Sequence, residues 1–382
     1  MFRHFSFTIR PFQNNIKTRI LYDANFLIPI IAKLRVDMGT VADWAIFPTR
    51  DLERGSKDHL GTLQSFLEML PQKLTTATAL NSLAFDFTDK WQTDFDEGKN
   101  DAPLIWFPML DHLRSGLSRV FKSTIALSEN LVDLQLSLPC TYGFAVVAEA
   151  ISDDTLARLR HLRLQVVDGT GIGGPPGKLV NNYTKSNLLE EYPNEEYAPA
   201  VAKIISKCKN LRTLGVSGTQ HLDCDAINWQ PSAGGLDTLH LQRVSLTSKT
   251  LIKLLSSAKN YTDRSSLFCT WLEEVRLKAG TWAEVFKHMR NCPSLRYTNM
   301  HHLEYDEDGE SRHLRSYVGH MDGDYEKIWT VDKEDRKEMT SVMEYVIARS
   351  GQYPNEFNEV AVWDEYYSDG TEGWTSGFIL VD

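Results

Sequence analysis

The sequence has no apolar run long enough to cross a bilayer. The longest, Phe26 to Ala32, is seven residues and contains Pro29, against the ~20 that a spanning helix requires. Met1 to Arg10 carries no apolar core of the kind found in a secretory leader. Cysteine is scarce: Cys140, Cys208, Cys224, Cys269 and Cys292 are odd in number, and no two have metal-site spacing. Buried, reduced thiols in a cytoplasmic or nuclear protein are therefore expected, with no membrane partner. No serine or cysteine sits in a nucleophile elbow. Gly169-Thr-Gly171-Ile-Gly173-Gly174 matches a phosphate-binding string, but Pro175 and Pro176 follow where a helix must open. His301, His302, Glu304 and Asp306 are close in sequence, yet neighbours on a strand point to opposite faces and cannot easily share an ion. Lys and Arg number 41 against 51 Asp and Glu, without a basic cluster, which argues against a nucleic-acid partner. The expectation is a non-enzymatic protein with no cofactor and no metal.

What is present is a recurring spacing of leucines. Cys208-Lys-Asn-Leu211-Arg-Thr-Leu214-Gly-Val216 is one copy; Cys269-Thr-Trp-Leu272-Glu-Glu-Val275-Arg-Leu277 and Cys292-Pro-Ser-Leu295-Arg-Tyr-Thr298-Asn-Met300 are others. Leu80, Leu131, Leu159 and Leu236 open four more, so the first positions fall at 80, 131, 159, 211, 236, 272 and 295. The short gaps lie near the ~20–29 residues of a leucine-rich repeat, a strand followed by a helix that buries its apolar edge against the next copy. Helical stripes at i, i+3, i+4, i+7 stand between the strands: Phe144/Val147/Ala148/Ile151, Val201/Ile204/Ile205/Cys208, Leu251/Leu254/Leu255/Ala258 and Trp282/Val285/Phe286/Met289.

This pattern predicts an α/β leucine-rich-repeat-like solenoid, a curved parallel sheet with helices on its outer face, over residues 76–305. Residues 1–75 are expected to form a helical capping region, in which Phe5, Phe7 and Ile9 alternate as a strand does until Pro11, and Ile16 to Leu34 is helical in phase with Pro29 kinking or dividing it. Residues 306–382 are expected to form an acidic cap containing a helix from Asp332 to Arg349 and a hairpin of Val360 to Tyr367 with Trp374 to Val381. The charge changes sharply there: residues 301–382 hold 20 Asp and Glu against 7 Lys and Arg, net −13, and residues 1–300 hold 31 against 34, net +3.

With the leucines turned inward, alternate residues must line the open, concave face. By the spacing above these include Asp133, Gln135, His161, Arg163, Gln165, Thr213, Thr238, His240, Gln242, Glu274, Arg276, Lys278, Tyr297, Asn299 and His301. Extended faces of mixed polar character bind proteins, so these residues are expected to face solvent and to hold a protein substrate.

Cys208-Lys-Asn-Leu-Arg-Thr-Leu, Trp271-Leu-Glu-Glu-Val-Arg-Leu, Trp282-Ala-Glu-Val-Phe and Cys292-Pro-Ser-Leu together resemble the repeat portion of the F-box/leucine-rich-repeat-type proteins of filamentous fungi, over about Leu80 to Tyr305. The resemblance implies a substrate-recognition subunit of a cullin-type ubiquitin ligase, with the ligase adaptor as a second partner where an F-box stands upstream. No F-box helix, a Leu-Pro followed by an apolar helix, is found near the start. The asparagine that usually follows each strand is also missing: Thr88, Pro139, Val167, Thr219, Val244, Gly280 and Leu303 take its place. A repeat scaffold without a ubiquitin link, or an enzyme with its site in 306–382, are the alternatives.

Overall fold

A computed structural model describes residues 4–8, 31–40, 68–72, 74, 76–88, 107–123, 129–167, 192–230, 235–256, 267–306, 315–317, 327–330 and 332–350. The chain is α/β, with parallel strands and helices alternating along most of it. It divides into two compact units: Met1–Lys209 with Gly218–Leu222, and Asn210–Ser217 with Asp223–Asp382. The division falls inside the 76–305 stretch expected to be one body, and the acidic 306–382 segment belongs to the second unit.

In the first unit β1 (His4–Thr8), β2 (Lys33–Thr40), β3 (Ser82–Thr88), β4 (Asp133–Leu138) and β5 (His161–Val166) pair in chain order, all parallel. Leu83, Leu134 and Leu162 stand side by side in this register, and so do Phe85, Leu136 and, beside the latter, Leu164; all are at most 1% exposed. Within 1–75, β1 is the strand that Phe5 and Phe7 announce, whereas β2 was not expected; both continue the same ladder. Phe5 and Phe7 pair with Leu34 and Val36, so aromatic and β-branched residues occupy the columns that leucine occupies elsewhere. Of the expected helix Ile16 to Leu34, only 31–34 are described, and Lys33 and Leu34 open β2.

The described helices of this unit include α1 (Phe107–Ser123), α2 (Thr141–Ala150), α3 (Asp153–Arg158) and α4 (Asn194–Lys207). α2 packs against α1 on one side and α4 on the other. The stripes read from the sequence are the faces they bury: Phe144 and Val147 in α2, Ile204 and Ile205 in α4, are fully shielded, as an amphipathic helix on a sheet requires. Ser152 caps α3 by accepting from the Thr155 amide at 3.2 Å.

The second unit contains the Thr213–Ser217 half of β6 (Thr213–Asp223), then β7 (Thr238–Leu246), β8 (Cys269–Glu273) and β10 (Tyr297–His301), with β9 (Arg276–Leu277) and β11 (Glu304–Tyr305) prolonging the ladder in parallel beyond β8 and β10. α5 (Ser248–Leu255), α6 (Trp282–Arg290) and α7 (Lys333–Ser350) pack in that order. A capping box of Thr281 and Glu284 opens α6. Just before it Gly280 has φ +84°, and a Cβ there would lie 1.8 Å from Ser248 Oγ, so only glycine lets α5 and α6 begin this close together. α7 matches the helix expected from Asp332 to Arg349; the expected hairpin over 360–381 lies outside the described residues, as does the Gly169 to Gly177 string. β12 (Arg315–Tyr317) and β13 (Lys327–Trp329) form a small antiparallel pair.

The repeat register of the second unit differs from the one the leucine spacing suggested. β8 aligns Cys269 with Thr238 and with Tyr297, so the first position of that copy is Leu267, not Leu272. The columns then read Leu236, Leu267, Leu295; Leu239, Thr270, Thr298; and Leu241, Leu272, Met300. Thr270 and Thr298 are core residues at 1% and 4% exposure, and the Thr270 hydroxyl donates to Thr298 at 2.9 Å, which removes the cost of leaving them unpaired among leucines. The backbone enters the left-handed region within β7 at Arg243 (φ 52°), and one residue past β8 and β10 at Glu274 (φ 51°) and His302 (φ 53°). The turn shifts the side-chain phase by one, so Val244, Val275 and Leu303 are each 0% exposed directly after it. These aliphatic residues fill the column where asparagine was sought. Leu267→Ala is expected to cost about 2–5 kcal/mol, as a buried leucine should; chemical denaturation reads it, and a cost below ~1 kcal/mol returns the first position to Leu272.

Candidate protein-binding face

Along each strand, residues alternating with the core columns share one side of the sheet. In the first unit they form rows: Lys33, Ser82, Asp133, His161; then Arg35, Ala84, Gln135, Arg163. A third row holds Asp86, Ser137 and Gln165. Asp86 is its centre. Arg35 pairs with it, Ser137 donates to it at 2.7 Å and Gln135 at 3.2 Å. Ser82 donates to Asp133 at 2.7 Å. Burial pushes the Asp133 carboxyl above the ordinary aspartate range, against the pull of Ser82, His161 and Lys33. The five residues read from the sequence here, Asp133, Gln135, His161, Arg163 and Gln165, are brought together as expected from the spacing. They are less open than expected: Arg163 and Gln165 are 8% and 9% exposed. The spacing missed Lys33 and Arg35, although Ile31-Ala-Lys33-Leu34-Arg35-Val36 fits the template once isoleucine and valine are admitted.

In the second unit the rows are Thr238, Cys269, Tyr297; His240, Trp271, Asn299; and Gln242, Glu273, His301. Thr213, Thr238 and His240 are buried, and Gln242, Tyr297, Asn299 and His301 are half-buried. The register correction removes Glu274, Arg276 and Lys278 from these rows and installs Cys269, Trp271 and Glu273. Glu274 sits on the left-handed turn, where Arg243 grips both carboxylate oxygens at 2.7 and 3.1 Å. Arg276 lies on β9 and pairs with Glu304, and Lys278 pairs with Asp223 at 2.8 Å. These three are committed to internal ion pairs and do not face a partner freely.

The face is aromatic as well as polar. Trp271 lies 5.6 Å from His240, ring to ring, and Tyr297 meets Phe268 edge-on at 4.9 Å. His301 and His302 have ring centroids 4.1 Å apart: the left-handed turn at His302 defeats the opposite-faces argument made for a regular strand. Among the described residues no group of three His, Cys, Asp or Glu could hold a metal ion. All five cysteines are buried and outside any disulfide, and burial pushes Cys208, Cys224 and Cys269 up to about 12, so these three are not thiolates near neutral pH. Among the described residues no helix is long and apolar enough to cross a membrane.

A second concavity, of about 950 Å³, lies on the helical side of the first unit between the helical residues 68–72, α1 and α2. Arg114, Arg119, Lys122 and Tyr142 line it with Glu68 and Glu149. Two of its cations are already engaged, Arg119 with Glu68 at 3.5 Å and Arg114 with the Tyr142 hydroxyl.

No protein-family model matches the chain, and no curated protein matches it significantly.

Proposed function

We propose that the chain is a non-enzymatic protein-binding module with a leucine-rich-repeat-like solenoid and an acidic C-terminal cap. In this reading it is a substrate-recognition subunit resembling the F-box/leucine-rich-repeat receptors of cullin-type ubiquitin ligases, working in the cytoplasm or nucleus. The observation that carries the reading is the division of labour across the strands. In each unit one side is a set of leucine-type columns at 0–4% exposure. The other repeats polar and aromatic side chains rung by rung, a surface with more side-chain chemistry than stability alone demands. Indole, phenol and imidazole groups on a rigid sheet anchor interfaces well because little entropy is lost in ordering them.

Photo-crosslinking tests the face. A benzophenone side chain is placed at Gln135 or Asn299, on the strand face, and at Lys203 or Lys249, exposed on α4 and α5. A common protein adduct from the two face positions, absent from the helix positions, is the expected result. Adducts from the helix positions alone overturn the reading. Binding of purified ligase adaptor to the full-length chain then separates the receptor from a scaffold without a ubiquitin link: no binding withdraws the ligase assignment.

A further inference from the structure

Within the second unit, Trp271 and Glu273 stand two residues apart on β8 and so share its face. The indole Nε1–H donates to the Glu273 carboxylate at 3.1 Å, which fixes the ring and leaves its plane half-exposed beside His240. Asn299 and His301 flank the pair from β10. Three cations of the second unit are already taken: Arg243 by both oxygens of Glu274, Arg276 by Glu304, Lys278 by Asp223. Glu273 therefore keeps a carboxylate on the face with Trp271 and Gln242 as donors and no ion pair among the described residues. Burial, aided by the charge of Glu274 and opposed by Trp271 and Arg243, pushes its carboxyl above the ordinary glutamate range. A desolvated anion of this kind gains from the arrival of a cation.

We propose that Trp271 and Glu273 form a receptor for an arginine or lysine side chain of a basic segment on the partner protein, the cation lying on the indole face and its N–H groups donating to the carboxylate. Aromatic faces attract such cations, and the attraction grows where water is excluded. A planar guanidinium fits best, since it can lie on the ring and reach the carboxylate with a second N–H. The net −13 over residues 301–382 favours encounter with a basic segment. The inference rests on the strand face being the binding face.

The test uses the full chain and a fluorescein-labelled glycine-serine peptide carrying three arginines, with a citrulline version as the neutral isostere. Fluorescence anisotropy at physiological salt is expected to show binding of the arginine peptide and about tenfold weaker binding by Trp271→Leu, by Glu273→Gln and by the citrulline peptide. Asp154→Asn, an exposed acid of the first unit, is expected to bind as the parent does, which excludes general attraction to an acidic protein. Trp271→Leu disturbs the contact with His240, so the near-isosteric Glu273→Gln must agree with it. Glu273→Gln is also expected to leave the melting temperature unchanged or raised. A carboxyl whose folded pKa is raised contributes stability only at low pH, and loses it as pH rises through that pKa. No binding by the parent, or binding undiminished by Glu273→Gln, overturns the proposal. If Asn299 still crosslinks a partner, only the cation receptor is withdrawn; if those crosslinks are also absent, the binding face falls with it.

Discussion

Asp335→Ala is expected to destabilise the second unit by about 3–5 kcal/mol, the scale of breaking a buried charged network by removing one member. Asp335 is fully buried in the first turn of α7. It accepts from the Ala283 amide at 2.7 Å, the Tyr305 hydroxyl at 2.6 Å and the Thr330 hydroxyl at 2.7 Å. Ala283 lies in the first turn of α6, whose amides lack partners within their own helix. Asp335 therefore caps α6 from another element, with its charge at the favourable end of the helix dipole. Burial and the neighbouring Asp335 raise Tyr305 well above the ordinary tyrosine range, so its hydroxyl stays a donor. Alanine would orphan three donors at once. Asp335→Asn keeps one acceptor for Ala283 and presents an amide that the two hydroxyls can turn to accept, so it is expected to cost about half as much. Denaturant unfolding followed by tryptophan fluorescence and far-ultraviolet dichroism measures both, with the transitions of the two units fitted separately. A shift below ~1 kcal/mol for alanine means that the network contributes little.

Trp282→Ala is expected to have an effect of similar size, about 3–5 kcal/mol for an indole left as a cavity. Trp282 is 0% exposed, stacks on Phe286 with centroids 5.6 Å apart, and donates Nε1–H to the Glu304 carbonyl at 3.0 Å. Trp282→Phe keeps most of the volume and loses that hydrogen bond, for an expected cost of about 1–3 kcal/mol. The Trp282 amide also donates to the Tyr305 hydroxyl at 3.1 Å, so the two sites share a partner. Their double mutant is expected to cost less than the sum, because once Asp335 has gone Tyr305 no longer holds its place against α6. Strict additivity in the cycle would show that the two packings are independent.

The leucine spacing was legible because strands and helices impose local periods. Among the described residues the stripes on α2, α4, α5 and α6 bury what period 3.6 assigns to one face, with Ala258 of the α5 stripe outside them, and Leu134, Leu162, Leu214 and Leu239 are at most 1% exposed. The alternation of Phe5 and Phe7 showed β1 as a strand, but neither β1 nor β2 was legible as a rung of the ladder, because phenylalanine and valine hold leucine columns there. The misplaced copy at Leu272 has a different cause. Leu241, Val244 and Leu246 repeat the spacing of Leu236, Leu239 and Leu241 five residues later. The template thus occurs twice in this copy, and again in the next, at Leu267/Thr270/Leu272 and Leu272/Val275/Leu277. Where Thr270 stands in a core column, the second occurrence is the more conspicuous, and the sequence alone offers no way to choose.

The residues themselves determined which stretches are strands or helices and which side of each is apolar, since both follow from side-chain periods a few residues long. Only the tertiary structure decided the register of the second unit, and with it that Trp271 and Glu273 occupy the face while Glu274, Arg276 and Lys278 close ion pairs. That choice depends on left-handed turns at Arg243, Glu274 and His302, and on which rung lies beside which in the neighbouring strand. Partners 28 or 31 residues apart along the chain settle that alignment through their hydrogen bonds, and no local pattern encodes it.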